Sequence, residues 1–418
     1  MKKMIYLAMM TMAVLTSACS HDDTFEEMQS MPGKSESKHV IGTKTVLVYM
    51  AGRNNLSKNV DADLKEIKQG SKLLGSEDNM LVFVRRYEET ETPWLARIKN
   101  GEVTDSVSIS DMGIRSSDGL MRASDPVVME GVMRYAFSHY PASTGHYGLV
   151  LWGHGSGWLM KDEVKRRCTR AFGVDYGEND STDGCWINIT SLAELLRGMP
   201  HLKYIMADCC NFMCLENLYE LRNSCDYIIG SPAEIPDQGA PYDKILPDLF
   251  ADGTFYSHII DKYHKSIYGY LPLTAVKTIE MENMAQATRQ ALQAVKTTMG
   301  GGYADMRGLI HYYYTSKEKE FHPEYNIFYD AGDFFLTHAT KEVYQQWRQA
   351  LDKLVLDSRM ATRWTTDKKW KMYSDFTVTA EKYHGVSMFV PQDPDTGNYA
   401  KYNEDIRQLS WYKVVEQP

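Results

Sequence analysis

The run Lys203-Tyr204-Ile205-Met206-Ala207-Asp208-Cys209-Cys210-Asn211-Phe212-Met213-Cys214-Leu215-Glu216 changes character midway. Its front half, residues 203–207, is short and apolar and reads as a buried parallel strand. Behind it, Leu215, Leu218, Tyr219 and Leu221 carry helical spacing. Asp208, Cys209 and Cys210 are therefore expected where a strand's C-terminal end turns into a helix N-terminus. In open α/β sheets that edge is where ligands bind. The positive end of a helix dipole lowers a thiol's pKa, so a cysteine there is expected to be primed as a thiolate.

A nucleophilic thiol needs a base. Upstream, Tyr147-Gly148-Leu149-Val150-Leu151-Trp152 reads as another buried strand and runs into Gly153-His154-Gly155-Ser156-Gly157. His154 is thus expected on the same edge of the same sheet as Cys210. The two are 56 residues apart, room for a crossover and one further element.

Working outward, Thr45-Val46-Leu47-Val48-Tyr49-Met50 and Met80-Leu81-Val82-Phe83-Val84 read as buried strands flanking a helix over 56–73. A small hairpin is expected over 94–110, and a helix capped by Asp125 up to Tyr140. Residues 187–199 read as strand edge plus helix. Tyr227-Ile228-Ile229-Gly230-Ser231 is a strand that leaves through Pro232-Ala233-Glu234-Ile235-Pro236-Asp237-Gln238-Gly239 on the same edge. Helices follow over 241–251 and 256–269, then a strand over 271–278 and a helix over 279–299. Strands alternating with helices, and buried without polar alternation, indicate an α/β fold with a mostly parallel central sheet covered on both faces. From residue 300 the pattern changes. Aromatic-rich segments, helices over 330–338 and 341–360, and strands over 373–380 and 386–391 read as a C-terminal α+β extension over 300–418, packed on a core domain spanning 44–299. No internal repeat is present.

The 418 residues, 43% hydrophobic and 24% charged, are ample for a large core. A net charge of −9 does not suggest a nucleic-acid partner. Lys2 and Lys3 precede an apolar stretch over 4–15, too short to span a bilayer, and Thr16-Ser17-Ala18 precede Cys19. Residues 1–19 therefore read as a signal peptide ending at a lipidated Cys19. The acidic run after it (Asp22, Asp23, Glu26, Glu27) resembles the surface-export signal of Bacteroidetes lipoproteins. The expected location is the outer membrane, at the cell surface or extracellular, with ordinary secretion after Ala18 as the plainer reading. Residues 20–43 read as a flexible tether. Of seven cysteines, four crowd into 209–225, two of them adjacent. No zinc spacing appears. A mostly free-thiol inventory is expected, with a Cys168–Cys185 bridge left open.

These features together resemble the clostripain family of cysteine peptidases, relatives of caspases, legumain and gingipains. The family pattern H-G-x-G-x falls on His154-Gly155-Ser156-Gly157-Trp158. The D-A-C block falls on Asp208-Cys209-Cys210, with Glu216 six residues past the cysteine. The opening D-N-N-L falls on Arg53-Asn54-Asn55-Leu56, arginine replacing aspartate. The ending G-x-S-x-x-x-P falls on Gly385 to Pro391. The resemblance spans about residues 44–415 and implies a caspase-like α/β/α sandwich. It also implies a Cys-His dyad with Cys210 as nucleophile and His154 as acid/base, and cleavage after Arg or Lys.

Peptide hydrolysis by a thiol also needs an oxyanion site, expected from the N–H groups of Gly155 and Cys210. Asp208, two residues before the nucleophile, is the candidate floor of the P1 pocket; its plainer reading is a helix cap. Glu234 is a weaker substrate-binding candidate. The basic run holding Lys165, Arg166, Arg167 and Arg170 lies between the two catalytic candidates. Family members are often processed there, so self-cleavage after one of these residues is expected, a solvated charge run being the bland alternative. No cofactor is required by the sequence; calcium is an open point, since some family members depend on it, and no EF-hand pattern or metal site is visible. Expected partners are protein or peptide substrates, and a membrane through the lipid on Cys19. Two other readings stand beside this one: an inactive surface binding protein on the same scaffold, and a peptidase preferring Asp or Asn.

Overall fold

A computed structural model describes residues 39–87, 92–116, 119–160, 171–175, 184–312, 327–366, 369–371 and 376–416. The strands are β1 (Gly42–Ala51), β2 (Asn79–Arg85), β3 (Trp94–Lys99), β4 (Glu102–Ser108), β5 (Ala142–Gly153), β6 (Phe172–Asp175), β7 (Cys185–Ile187), β8 (Leu202–Asp208), β9 (Cys225–Gly230), β10 (Leu273–Lys277), β11 (Tyr329–Asp330), β12 (Val355–Arg359), β13 (Trp364–Thr366), β14 (Lys369–Lys371) and β15 (Ser387–Met388). The helices are α1 (Val60–Ser71), α2 (Pro126–His139), α3 (Ile189–Arg197), α4 (Leu215–Leu221), α5 (Tyr242–Leu249), α6 (Phe255–Ser266), α7 (Met281–Met299), α8 (Ala331–His338), α9 (Lys341–Leu354), α10 (Tyr399–Asp405) and α11 (Ser410–Val415).

Nine strands form one sheet in the order β12-β10-β9-β8-β5-β1-β2-β3-β4. The inner five, β9-β8-β5-β1-β2, are parallel. They are the apolar runs, and their residues are almost all buried, as strands covered on both faces must be. Each edge is closed by antiparallel strands. On one side β3 and β4 form a hairpin whose turn is Asn100-Gly101, both with positive φ, the pairing a tight two-residue turn favours. On the other, β10 pairs antiparallel with β9, and β12 with β10.

The helices pack in two groups, one on each face. One comprises α1, α5 and α6; the other runs through α2, α3, α4 and α7, with α9 and α11 on α7. Asp125 caps α2 by accepting the Val127 N–H, with Pro126 in the first turn.

The C-terminal segment departs from the expectation in two places. The helix expected to reach residue 360 ends at Leu354, and Val355–Arg359 becomes β12, the sheet's edge strand. The strand expected over 386–391 shrinks to Ser387–Met388, paired with β11. Part of the strand expected over 373–380 lies outside the described residues, and 376–380 carry no strand. In both places the chain takes the conformation that closes a neighbour's hydrogen bonds, which local periodicity does not encode.

Candidate active site

The parallel register places the two reactive candidates. Trp152 on β5 stands opposite Asp208 on β8. Two residues beyond each lie His154 and Cys210. Neighbouring strands are about 4.8 Å apart, so the two leave the sheet edge side by side. On the other side of β5, Ala51 of β1 stands opposite Gly153. That register delivers Arg53-Asn54-Asn55 to His154. His154 Nε2–H donates to Asn55 Oδ1 at 2.7 Å, which leaves Nδ1 as the lone-pair nitrogen of a neutral ring. The Trp186 ring covers the imidazole at 6.2 Å between centroids. Asn54 faces the other way: its Nδ2 donates to Ala51 O and Val174 O, and its Oδ1 accepts the Leu56 N–H, so it ties the loop down.

Cys210 does not sit at a helix N-terminus as expected. Residues 209–214 form a turn with Asn211 at φ +53°, and α4 starts only at Leu215 with Cys214 as its N-cap. A helix dipole fades within a turn, so it does little for this thiol. Burial instead pushes the Cys210 thiol up to about 12, helped by the charge of Glu234 and opposed by the Ile235 N–H. That N–H donates to Sγ at 3.3 Å, and Sγ stands 4.0 Å from the Ile235 carbonyl. Burial also pushes His154 down to about 4. Both shifts favour the neutral thiol and the neutral imidazole over the ion pair, and no helix N-terminus lies at Cys210 to prime a thiolate as expected.

The backbone around the pair is open to an incoming acceptor. Gly155 faces Phe172 across a single antiparallel bridge. The bonds of that bridge run from Ser156 N–H to Ala171 O and from Gly173 N–H to His154 O, so the Gly155 N–H is left out. Neither the Gly155 nor the Cys210 N–H has a backbone acceptor among the described residues. A side chain at 155 would place its Cβ 2.5 Å from the Cys210 carbonyl and 3.0 Å from Cys209 Sγ. Only glycine permits this approach.

Asp208 is buried beneath the pair. Its Oδ2 accepts from Tyr242 OH at 2.8 Å and Ala240 N–H at 3.2 Å, and its Oδ1 from Tyr263 OH at 2.8 Å. Burial raises its pKa despite these donors. It makes no cap for α4, which removes the plainer reading. Glu234 is half-buried and acts on the thiol by charge. Segment 231–240 therefore touches both groups, Ile235 at the thiol and Ala240 at the carboxylate. Cys209, Cys214 and Cys225 are buried free thiols, and Cys210 is a half-buried one. Cys185 is disulfide-bonded. Cys19, Lys165, Arg166, Cys168, Arg167 and Arg170 lie outside the described residues.

Several neighbours carried no role in the sequence reading. Asn55 stood inside the quoted D-N-N-L motif and had a usable signal, an amide beside the expected site. Asp63, Trp152, Tyr242 and Tyr263 had none, because only the folded chain brings them to Asp208. Among the described residues no group of three His, Cys, Asp or Glu side chains is placed to hold a metal, and no helix is long and apolar enough to cross a membrane.

Comparison with known proteins bears on the fold and the family. The family model for peptidase C11, the clostripain family, matches residues 48–418. Among solved structures, a secreted C11 cysteine protease from Bacteroides thetaiotaomicron bound to an irreversible peptide inhibitor is 26% identical, with a TM-score of 0.70, covering 90% of this chain and 99% of its own. An inactive zymogen C11 protease from Parabacteroides distasonis is also 26% identical, with a TM-score of 0.71 and the same coverage. A second secreted C11 protease from Bacteroides thetaiotaomicron, 19% identical with a TM-score of 0.63 over 90% of this chain and 99% of its own, shares the fold. No curated protein matches the chain. A thiol and an imidazole level on adjacent parallel strands, inside a family match running to the last residue, make one statement: the chain belongs to the clostripain family of cysteine peptidases.

Proposed function

We propose that this peptidase works through a Cys210–His154 dyad and cleaves after Arg or Lys. The observation that carries the reading is the level placement of the two side chains beside two backbone N–H groups that have no backbone acceptor among the described residues. Cys210 Sγ attacks the scissile carbonyl and passes its proton to His154. The N–H groups of Gly155 and Cys210 hold the oxyanion. His154 returns the proton to the leaving amine, then takes one from water as the thioester is hydrolysed and the thiol re-forms. Asn55 keeps the ring in one tautomer throughout. Asp208 pairs with the basic P1 side chain, and an unpaired buried carboxylate makes neutral P1 residues poor substitutes.

The conformation described here is the resting one. Segment 231–240 lies on the thiol and on Asp208 together. Lifting that segment would free both. A relative at 26% identity is described as an inactive zymogen, which supports a closed resting state here. Self-cleavage after Lys165, Arg166, Arg167 or Arg170 is the proposed trigger. Export and a lipid anchor on Cys19 rest on the sequence of residues 1–19, in keeping with a relative described as secreted.

The test is hydrolysis of matched fluorogenic peptides with P1 Arg, Lys, Asn, Asp or Ala, with and without a calcium chelator, by active protein and by Cys210→Ala. The expected result is turnover after Arg or Lys alone, absent in the variant, which also stays a single chain by intact mass. Turnover after Asp or Asn would keep the dyad and remove Asp208 from the P1 pocket. Equal turnover by Cys210→Ala would overturn the dyad.

A further inference from the structure

Asp208 is not the only buried carboxylate at its depth. Asp63 on α1 is 3% exposed. Its Oδ2 accepts the Trp152 indole N–H at 2.6 Å. Trp152 is the cross-strand partner of Asp208, so both side chains rise on the sheet face that α1, α5 and α6 cover. Trp152 is also two residues before His154. The indole thus holds Asp63 alongside Asp208, below the reactive edge.

The groups facing Asp63 leave its charge unanswered. They are Asp208 from β8 and Glu66 from α1 itself, with the phenols of Tyr242 from α5 and Tyr263 from α6 beyond. No lysine or arginine among the described residues forms an ion pair with Asp63 or Asp208. Two buried carboxylates without a cation are costly to keep ionised together. A structural pair would be expected to carry a basic partner within the chain. Here the missing cation has to come from outside, and the neighbouring reactive edge is where a substrate would bring one.

We infer that Asp63 is the second carboxylate of the P1 pocket, sharing with Asp208 the guanidinium or ammonium of a bound Arg or Lys side chain. The inference rests on the P1 reading proposed above and adds to it a residue and a proton. Burial and the Asp208 charge push Asp63 up to about 8, so below that pH Asp63 is held as a carboxylic acid in the free pocket. A cation entering between them favours the ionised form, and Asp63 gives up its proton on binding. Discrimination for a charged P1 side chain then rises as pH climbs through the Asp63 range.

The experiment compares two peptides differing only at P1, arginine against its neutral isostere citrulline, on wild type, Asp63→Asn and Asp208→Asn. Asparagine can still accept the Trp152 N–H, so a purely structural Asp63 would leave the arginine-to-citrulline ratio of kcat/KM unchanged. The expected result is a fall in that ratio of about tenfold or more in Asp63→Asn. A ratio that stays constant, or two activities that fall together, overturns the inference. The wild-type ratio, followed from about pH 6.5 to about pH 9, needs no variant to fold. A rise supports the proton release, and a flat profile overturns it. If wild type shows no preference for arginine, the P1 reading itself falls. If the preference vanishes in Asp208→Asn but persists in Asp63→Asn, only the inference about Asp63 falls.

Discussion

Two aspartates in this chain are equally hidden and oppositely used. Asp208, at the end of β8, is 2% exposed; Asp330, at the end of β11, is 0% exposed. Asp330 accepts from the backbone N–H groups of Gly332, Asp333, His384 and Gly385, from Tyr312 OH at 2.6 Å, and from His384 Nδ1 at 3.0 Å. The His384 ring lies within ion-pair distance of it, and its carboxyl is held below the ordinary range, His384 being the largest influence opposing burial. Asp208 has two phenols, one N–H and, among the described residues, no cation, and its pKa moves up. The contrast separates a carboxylate that the fold needs ionised from one the fold merely tolerates. The first is structural. The second is the one proposed above to meet the cation of a substrate.

The largest effect should come from removing the charge at each hub. Asp330→Asn turns an amide toward donors that have no other acceptor, so it should cost about 3–5 kcal/mol in urea unfolding at neutral pH. Asp208→Asn should be neutral or mildly stabilising there while abolishing turnover of basic substrates. The pH dependences should oppose each other. Asp330's folded pKa is depressed, so its contribution is present above its unfolded value and lost as pH falls through the folded one. Asp208's is raised, so its contribution is present at low pH and lost as pH rises through its folded value. Equal losses for the two variants at neutral pH would break the comparison.

The same division recurs on adjacent residues, on a smaller scale. Asn54 spends its amide on the loop's own backbone, whereas Asn55 aims its oxygen at His154. Asn54→Ala should therefore lower stability by about 1–3 kcal/mol. Asn55→Ala should fold normally and lower kcat by about tenfold or more with little change in KM. The pH profile of Cys210 alkylation by iodoacetamide should also shift in the Asn55 variant alone, because that reaction reports the thiol–imidazole couple without any substrate pocket. Identical behaviour of the two variants would make Asn55 another loop anchor.

The contrast also marks what could be read from the residues. Strand runs such as Val46-Leu47-Val48-Tyr49 and Leu149-Val150-Leu151-Trp152 announce a parallel sheet because a doubly covered strand has no polar face. Once two such strands are adjacent, His154 and Cys210 follow by register. The thiol's state did not follow. It depends on Ile235 and Glu234 folding back over it, and on a turn over residues 209–214 that separates the thiol from the helix starting at Leu215. The Asp208 partners lie 34 and 55 residues downstream, and Asn55 lies 99 upstream of His154. None of these contacts leaves a periodic trace. The strand β12 was hidden for a related reason: Val355-Leu356-Asp357-Ser358-Arg359 continues a helical pattern, and only the open edge of β10 recruits it.

A third buried carboxylate tests how general the division is. Glu216 at the start of α4 is fully buried and accepts the Phe389 N–H at 2.7 Å, tying the turn that carries Cys210 to the C-terminal segment. Burial pushes its carboxyl up to about 7 against that N–H, and among the described residues no basic side chain offsets it. By charge it belongs with Asp208; by position it looks like a clamp of the Asp330 kind. The sign decides. A raised folded pKa contributes stability that is present below the unfolded value and lost as pH rises through about 7. Glu216→Gln keeps an oxygen for Phe389 and has no charge to bury. It should match wild type in thermal unfolding at about pH 5, and exceed it at about pH 8 by on the order of 1–2 kcal/mol, a few degrees for a chain of this size. Loss of stability at the higher pH would place Glu216 with Asp330 instead, and would mean that burial without a cation does not by itself mark a carboxylate the fold only tolerates.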